Sequence, residues 1–206
     1  MTAPMLRADR MRAASWPSTA TGPLTLDGAA WGTWLEGGLL SAGHWPDRAP
    51  RVLTFTGSMS GSLDEGDLRN WMPAGIEACR AGITQARARA SEAGQKLLIV
   101  PHALHLVSDL HSALRCMREH QGIGLALAPC SLLTGSMLGH AADHLARILG
   151  TLGPMADAII LHGLERTIDA DGEPSVRTCP WGAGAIDARL VESLLPDGVP
   201  VLALTA

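Results

Sequence analysis

Two stretches decide the fold: Leu97–Leu106, LLIVPHALHL, and Ile123–Leu133, IGLALAPCSLL. Each opens on a short, unbroken apolar run and closes on a proline, Pro101 in the first and Pro129 in the second. An apolar run without polar alternation marks a strand buried on both faces, as a parallel sheet covered by helices requires. Proline has no N–H to donate to a ladder, so it marks where each strand stops.

Outward from these two runs the same punctuation repeats. Arg51–Thr56 reads as a strand ending at Gly57, and Ala158–Leu161 and Val199–Leu204 read as two more. Between them lie helix-favouring stretches. Asp64 to Ala93 is broken only by Pro73 and Gly75 and is stopped by Gly94. Ser108 to His120 carries Leu110, Leu114 and Met117 on one face, and Ser136 to Leu149 and Asp187 to Leu195 follow. Upstream, Asp27 to Ser41 reads as one more helix, with Trp31, Trp34 and Leu35 on its face and Asp27 as N-cap. Residues 1–24 are expected to be a separate segment holding at most a remnant strand near Met11 to Trp16, and residues 25–206 one barrel-like domain. Strands alternating with helices indicate an α/β fold.

The bulk composition agrees. The chain has 206 residues, 47% of them apolar and 17% charged, which suits one domain with a buried core but is short for a closed eight-stranded barrel. A net charge of −4 with scattered basic residues argues against a nucleic-acid partner. No apolar run reaches the roughly 20 residues that span a bilayer, so no membrane partner is expected. Arg7, Arg10 and Arg12 are followed by no apolar stretch, unlike a secretory signal, and a cytoplasmic location is the expectation. Four widely spaced cysteines read as reduced thiols. The glycine motifs of nucleotide-binding sheets and the Gly-x-Ser-x-Gly of serine hydrolases are both missing.

The strand ends carry a resemblance. LLIVPHALHL resembles the fifth-strand motif of the xylose-isomerase-like (sugar-phosphate isomerase/epimerase) family, an apolar run ending in Glu-Pro-His, with Val100 in place of the metal-binding glutamate. IGLALAPCSLL resembles the sixth-strand Asp-Pro-Ser-x-Leu motif, with Ala128 at the aspartate position. Ile159–Glu165, IILHGLE, resembles the seventh-strand His-x-x-Asp, keeping His162 and offering Glu165. Pro180–Leu195, PWGAGAIDARLVESLL, is similar to the family's Pro-x-Gly-x-Gly-x-x-Asp segment. The last strand offers only Leu204, Thr205 and Ala206 where another glutamate belongs. The resemblance implies a partial or shortened (β/α)8 TIM-type barrel with about five clear parallel strands, truncated at its N-terminus. It also implies a site at the strand C-termini whose divalent-metal chemistry has been lost.

That reading sets the candidate residues. Hard cations need oxygen ligands, which Val100 and Ala128 do not have, so no cofactor is expected. The alternative is a rebuilt zinc or manganese site from His102, Cys130 and His162. His162 with Glu165 is the candidate acid/base pair of an isomerase or epimerase acting on a sugar or related hydroxy-carbonyl compound. His102, Ser58, Ser60 and Trp181 are candidate contacts to a small sugar-like ligand, the serines through the small-residue loop Gly57–Asp64. His140 and His144 share a helix face, with solvation as the bland reading. A non-catalytic alternative is an interaction protein, or a homo-oligomer, pairing through open strand edges.

Overall fold

The computed structural model describes residues 6–8, 23–26, 29–35, 38–40, 45–46, 49–169 and 171–204. Its strands are β1 (Leu6–Ala8), β2 (Pro23–Leu26), β3 (Ala29–Trp34), β4 (Arg51–Phe55), β5 (Lys96–Val100), β6 (Gly124–Leu127), β7 (Ala158–Leu161), β8 (Gly163–Ile168), β9 (Pro174–Cys179) and β10 (Val201–Leu204). The helices are α1 (Pro73–Glu92), α2 (Leu110–Glu119), α3 (Ala141–Leu152) and α4 (Ala188–Ser193).

Eight strands form one sheet in the order β1-β10-β7-β6-β5-β4-β3-β2, parallel throughout except for the antiparallel pair β2–β3. The five strands expected from the sequence are β4, β5, β6, β7 and β10, and they form the centre of this sheet. The sheet continues on both sides, and its edge strands β1 and β2 come together. The chain is an α/β protein of shortened TIM-barrel type. Helices α1, α2 and α3 each cross over between neighbouring parallel strands.

Alternation along the strands sorts the apolar side chains into two layers. Leu97, Ile99, Leu125, Leu127, Ile159, Leu161, Val201 and Ala203 pack outward with Ile83, Leu145, Leu149 and Val191 of the helices. Leu53, Phe55, Leu98, Val100, Ala126, Ala128, Ala158, Ile160 and Leu202 form a second, inner cluster with Trp31 and Trp34. Alanines on β6, at its end and on β7 leave room for the aromatic rings contributed by β3 and β4. Trp34 and Phe55 stack there with centroids 4.8 Å apart.

Three expectations are corrected. Asp27 to Ser41 is not a helix, because residues Ala29–Trp34 form strand β3 in parallel pairing with β4. The three-residue spacing of Trp31 and Trp34 imitates a helical stripe, but Trp and Thr favour strands and the flanking glycines weaken a helix. Arg51 locks the pair: its guanidinium lies 4.8 Å from the Trp31 ring centroid and donates to the Trp31 carbonyl. The helix expected from Asp64 begins only at Pro73, because proline serves as its first residue rather than as an interior break. The helix expected from Ser136 begins at Ala141, after a 3-10 segment over Gly135–His140. Asp27, Thr205 and the remnant strand near Met11 to Trp16 lie outside the described residues. Part of the expected N-terminal segment, Leu6–Ala8, pairs with β10.

One element went unexpected. Strands β8 and β9 form an antiparallel hairpin that leaves the sheet directly after β7. Its turn is held by Asp169, whose Oδ1 accepts the N–H groups of Asp171 and Glu173. The hairpin lies close against the loop after β6, since a Cβ on Gly135 would stand 2.2 Å from the Pro174 carbonyl oxygen. Gly184, at φ +81°, packs as tightly on Leu164 at the hairpin's base.

Candidate functional site

The C-terminal ends of β5, β6 and β7 and the hairpin above them enclose a cavity of about 440 Å³. His102, Ser131 and His162 line it from the strand ends, and Ser175, Val176, Arg177 and Thr178 line it from the hairpin. Leu63, Leu104, Leu133 and Leu164 supply apolar walls. This is the face of a barrel where β-to-α loops assemble functional sites.

Each polar group on the floor is oriented by a neighbour. His162 is fully buried; its Nδ1–H donates to the Gly163 carbonyl at 3.1 Å, leaving the Nε2 lone pair to accept the Ser131 hydroxyl at 2.9 Å. His102 Nδ1 accepts the Leu104 N–H at 3.2 Å, which fixes the proton on Nε2, an N–H that has no hydrogen-bond partner among the described residues. His105 donates from Nε2 to the Leu63 carbonyl at 2.9 Å, while its buried Nδ1 has no partner among the described residues. The rings of His102 and His105 lie 4.5 Å apart and both meet Phe55 edge-on.

Burial keeps this cluster uncharged. Desolvation pulls His162 and His105 down to about 4, and lowers His102 well below the ordinary value, aided by its two histidine neighbours. Cys130, buried beside Ser131, has its thiol pushed up to about 12 by desolvation and then by Cys179. Arg177 pairs with Glu165 across the hairpin, Nη2 to Oε2 at 2.5 Å.

The predicted residues therefore divide. His102, Cys130 and His162 do line one cavity. They do not fit a cation: His162 has both nitrogens engaged, and the Cys130 thiol resists the deprotonation that metal ligation needs. Among the described residues no cluster of His, Cys, Asp and Glu is placed to hold a metal ion. Val100 and Ala128 sit fully buried in the inner apolar cluster with Trp34 and Phe55. Glu165 faces Arg177 on the hairpin and is not among the cavity's lining residues. Ser58 and Ser60 turn inward on their own loop: Ser58 Oγ accepts from the Asn70 amide, and Ser60 Oγ donates to the Glu65 carbonyl. Trp181 donates to Glu192 at 3.1 Å, away from the cavity. His144 contacts Arg147 on the exposed face of α3.

Sequence reasoning passed over Ser131 and Asn70. Ser131 falls at the unspecified position of the Asp-Pro-Ser-x-Leu segment, where Cys130 stands at the serine, so the motif gave it no role. Asn70, buried, ties two loops together by accepting the Met59 N–H and donating to the Leu104 carbonyl.

The chain is similar to three solved structures. Over 75% of its length the chain is similar to a xylose isomerase-like TIM barrel protein from Mycobacterium smegmatis solved in complex with magnesium, at 16% identity and a TM-score of 0.47 across 54% of that chain. It is similar over 77% of its length to a probable 3-DHS dehydratase, AsbF of petrobactin synthesis from Bacillus anthracis, at 12% identity and a TM-score of 0.49 across 57% of that chain. The third is the IOLI protein with a bound zinc atom, at 14% identity and a TM-score of 0.46, covering 76% of this chain and 54% of that one. The present chain spans little more than half the length of each. No protein-family model matches it, and no curated sequence does.

Proposed function

We propose that this protein is a sugar isomerase/epimerase-like barrel that has given up divalent-metal catalysis and binds a small, uncharged, oxygen-bearing molecule in the cavity at its strand ends. The observation that carries the reading is the neutral cluster of His102, Ser131 and His162 on the floor of a 440 Å³ cavity. The cluster presents one N–H donor at His102 and one hydroxyl oxygen at Ser131, a pair that matches a carbonyl beside a hydroxyl. Carboxylates line the same cavity at Asp64 and Asp169, and its arginine, Arg177, is already paired with Glu165. That balance favours a neutral hydroxy-carbonyl compound over its phosphate ester. Support for the metal-free part comes from the buried, donor-free side chains of Val100 and Ala128.

The test is saturation-transfer NMR with uncharged aldoses, ketoses and cyclic hydroxyketones, each beside its phosphate ester, with and without a chelator. Transfer to neutral members that survives chelation and is reduced in His102→Ala supports the reading. Binding that requires added manganese or zinc, or that favours the phosphates, would overturn it.

A further inference from the structure

We infer that Ser131 is a nucleophile with His162 as its base, and that the cavity takes a short-chain carboxylic ester. The inference rests on the reading that the cavity holds a small uncharged molecule, and it adds the bond made there.

Three relations carry it. The Ser131 hydroxyl donates to His162 Nε2 at 2.9 Å, the contact through which a serine is activated. The other nitrogen of His162 is held by the Gly163 carbonyl at 3.1 Å, so the ring is locked in the tautomer that can receive the serine proton. Both residues line the cavity, and His102 presents an unpaired N–H on the same wall. A serine–histidine contact serving only to join two strands would need neither the cavity nor that donor. Leu104, Leu133 and Leu164 give an acyl chain apolar walls to lie against.

In the reaction Ser131 Oγ attacks the ester carbonyl carbon while its proton passes to His162 Nε2. The carbonyl π electrons move onto oxygen, where the His102 N–H is the available donor. Collapse of this intermediate breaks the ester C–O bond, and the departing alkoxide takes the proton from His162. Water then attacks the acyl-serine with His162 again as base, releasing the carboxylic acid and restoring Ser131. Ester and water become acid and alcohol, with no change of oxidation state.

The experiment uses the full chain, p-nitrophenyl butyrate and an alkyl fluorophosphonate, read by nitrophenolate release and by peptide mass mapping. The expected result is one phosphonyl adduct per chain on Ser131, with ester turnover roughly a hundredfold slower in His162→Gln and no adduct at this position in Ser131→Ala. Mapping on the wild-type chain decides the matter even where a variant fails to fold. A methyl ketone of the same chain length reports non-covalent binding by saturation transfer. Ketone binding with no adduct on Ser131 overturns the nucleophile and leaves the binding reading standing; absence of both overturns both. An adduct that maps elsewhere also overturns it.

Discussion

Acidification should unfold this protein through its histidines before its carboxylates matter. His105 and His162 titrate near 4 in the folded chain against an ordinary 6.5, because burial disfavours their charged forms. The folded state therefore resists protonation while the unfolded chain accepts it. As pH falls below about 6.5 the unfolded state binds protons first and is stabilised. Stability is full above that pH, declines down to about 4, and levels off below it as far as these two groups are concerned. The gap for each histidine corresponds to roughly 3 kcal/mol, lost at roughly 1.4 kcal/mol per pH unit. His102 acts in the same direction. Against a total stability of about 5–15 kcal/mol for a domain of this size, the two losses remove much of the margin. Asp67 and Glu119 also favour higher pH, being held below the usual carboxylate range by hydrogen bonds from Arg69 and Arg80, but they titrate lower. The interval between them and 6.5 belongs to the histidines. Urea titrations at closely spaced pH values across that interval measure the slope, and His105→Asn should reduce it by about one histidine's share. A stability that stays flat across the interval, or rises on acidification, would show that these imidazoles are not buried as neutral groups.

Other perturbations follow from the same contacts. Val100→Glu places a carboxylate inside the apolar inner cluster and should cost about 3 kcal/mol by chemical denaturation, with no recovery on adding manganese. Gly135→Ala places a methyl group against the Pro174 carbonyl and should cost about 1–3 kcal/mol, with faster amide exchange across residues 163–179 than elsewhere. Cys130, buried with its thiol raised to about 12, should resist iodoacetamide in the native state at mildly alkaline pH and react once unfolded, as intact-mass measurement would show.

The centre of the fold was legible because its signals are local. Unbroken apolar runs at Leu97 and Ile123, each closed by proline, mark buried strands wherever they occur. Strand β3 was misread because two tryptophans three residues apart satisfy a helical stripe, while their partner strand β4 lies well downstream and leaves no mark on the local pattern. The hairpin was missed for a different reason. Its residues Gly163 to Cys179 follow so closely on β7 that no separate element was assigned to them, although the Asp-Gly pair at 171–172 is a turn signal flanked by strand-forming residues. That omission had consequences for the site, since the hairpin roofs the cavity and takes Glu165 away from His162.

The apolar side chains at positions 100 and 128 and the filling of the barrel are linked physically. A carboxylate at position 100 or 128 would need a cation or hydrogen-bond donors to offset its desolvation. With valine and alanine there, the inner space is free of charge, and the stacked rings of Trp34 and Phe55 sit in the same apolar cluster. Phe55 in turn meets His102 and His105 edge-on, so the filling reaches the cavity floor. In that surrounding an imidazole rests neutral and offers a single N–H or a single lone pair. His162, which in a metal site would give its nitrogen to a cation, instead gives it to the Ser131 proton. At the strand ends these side chains act through hydrogen bonds, and the hydroxyl of Ser131 is the group whose proton His162 accepts.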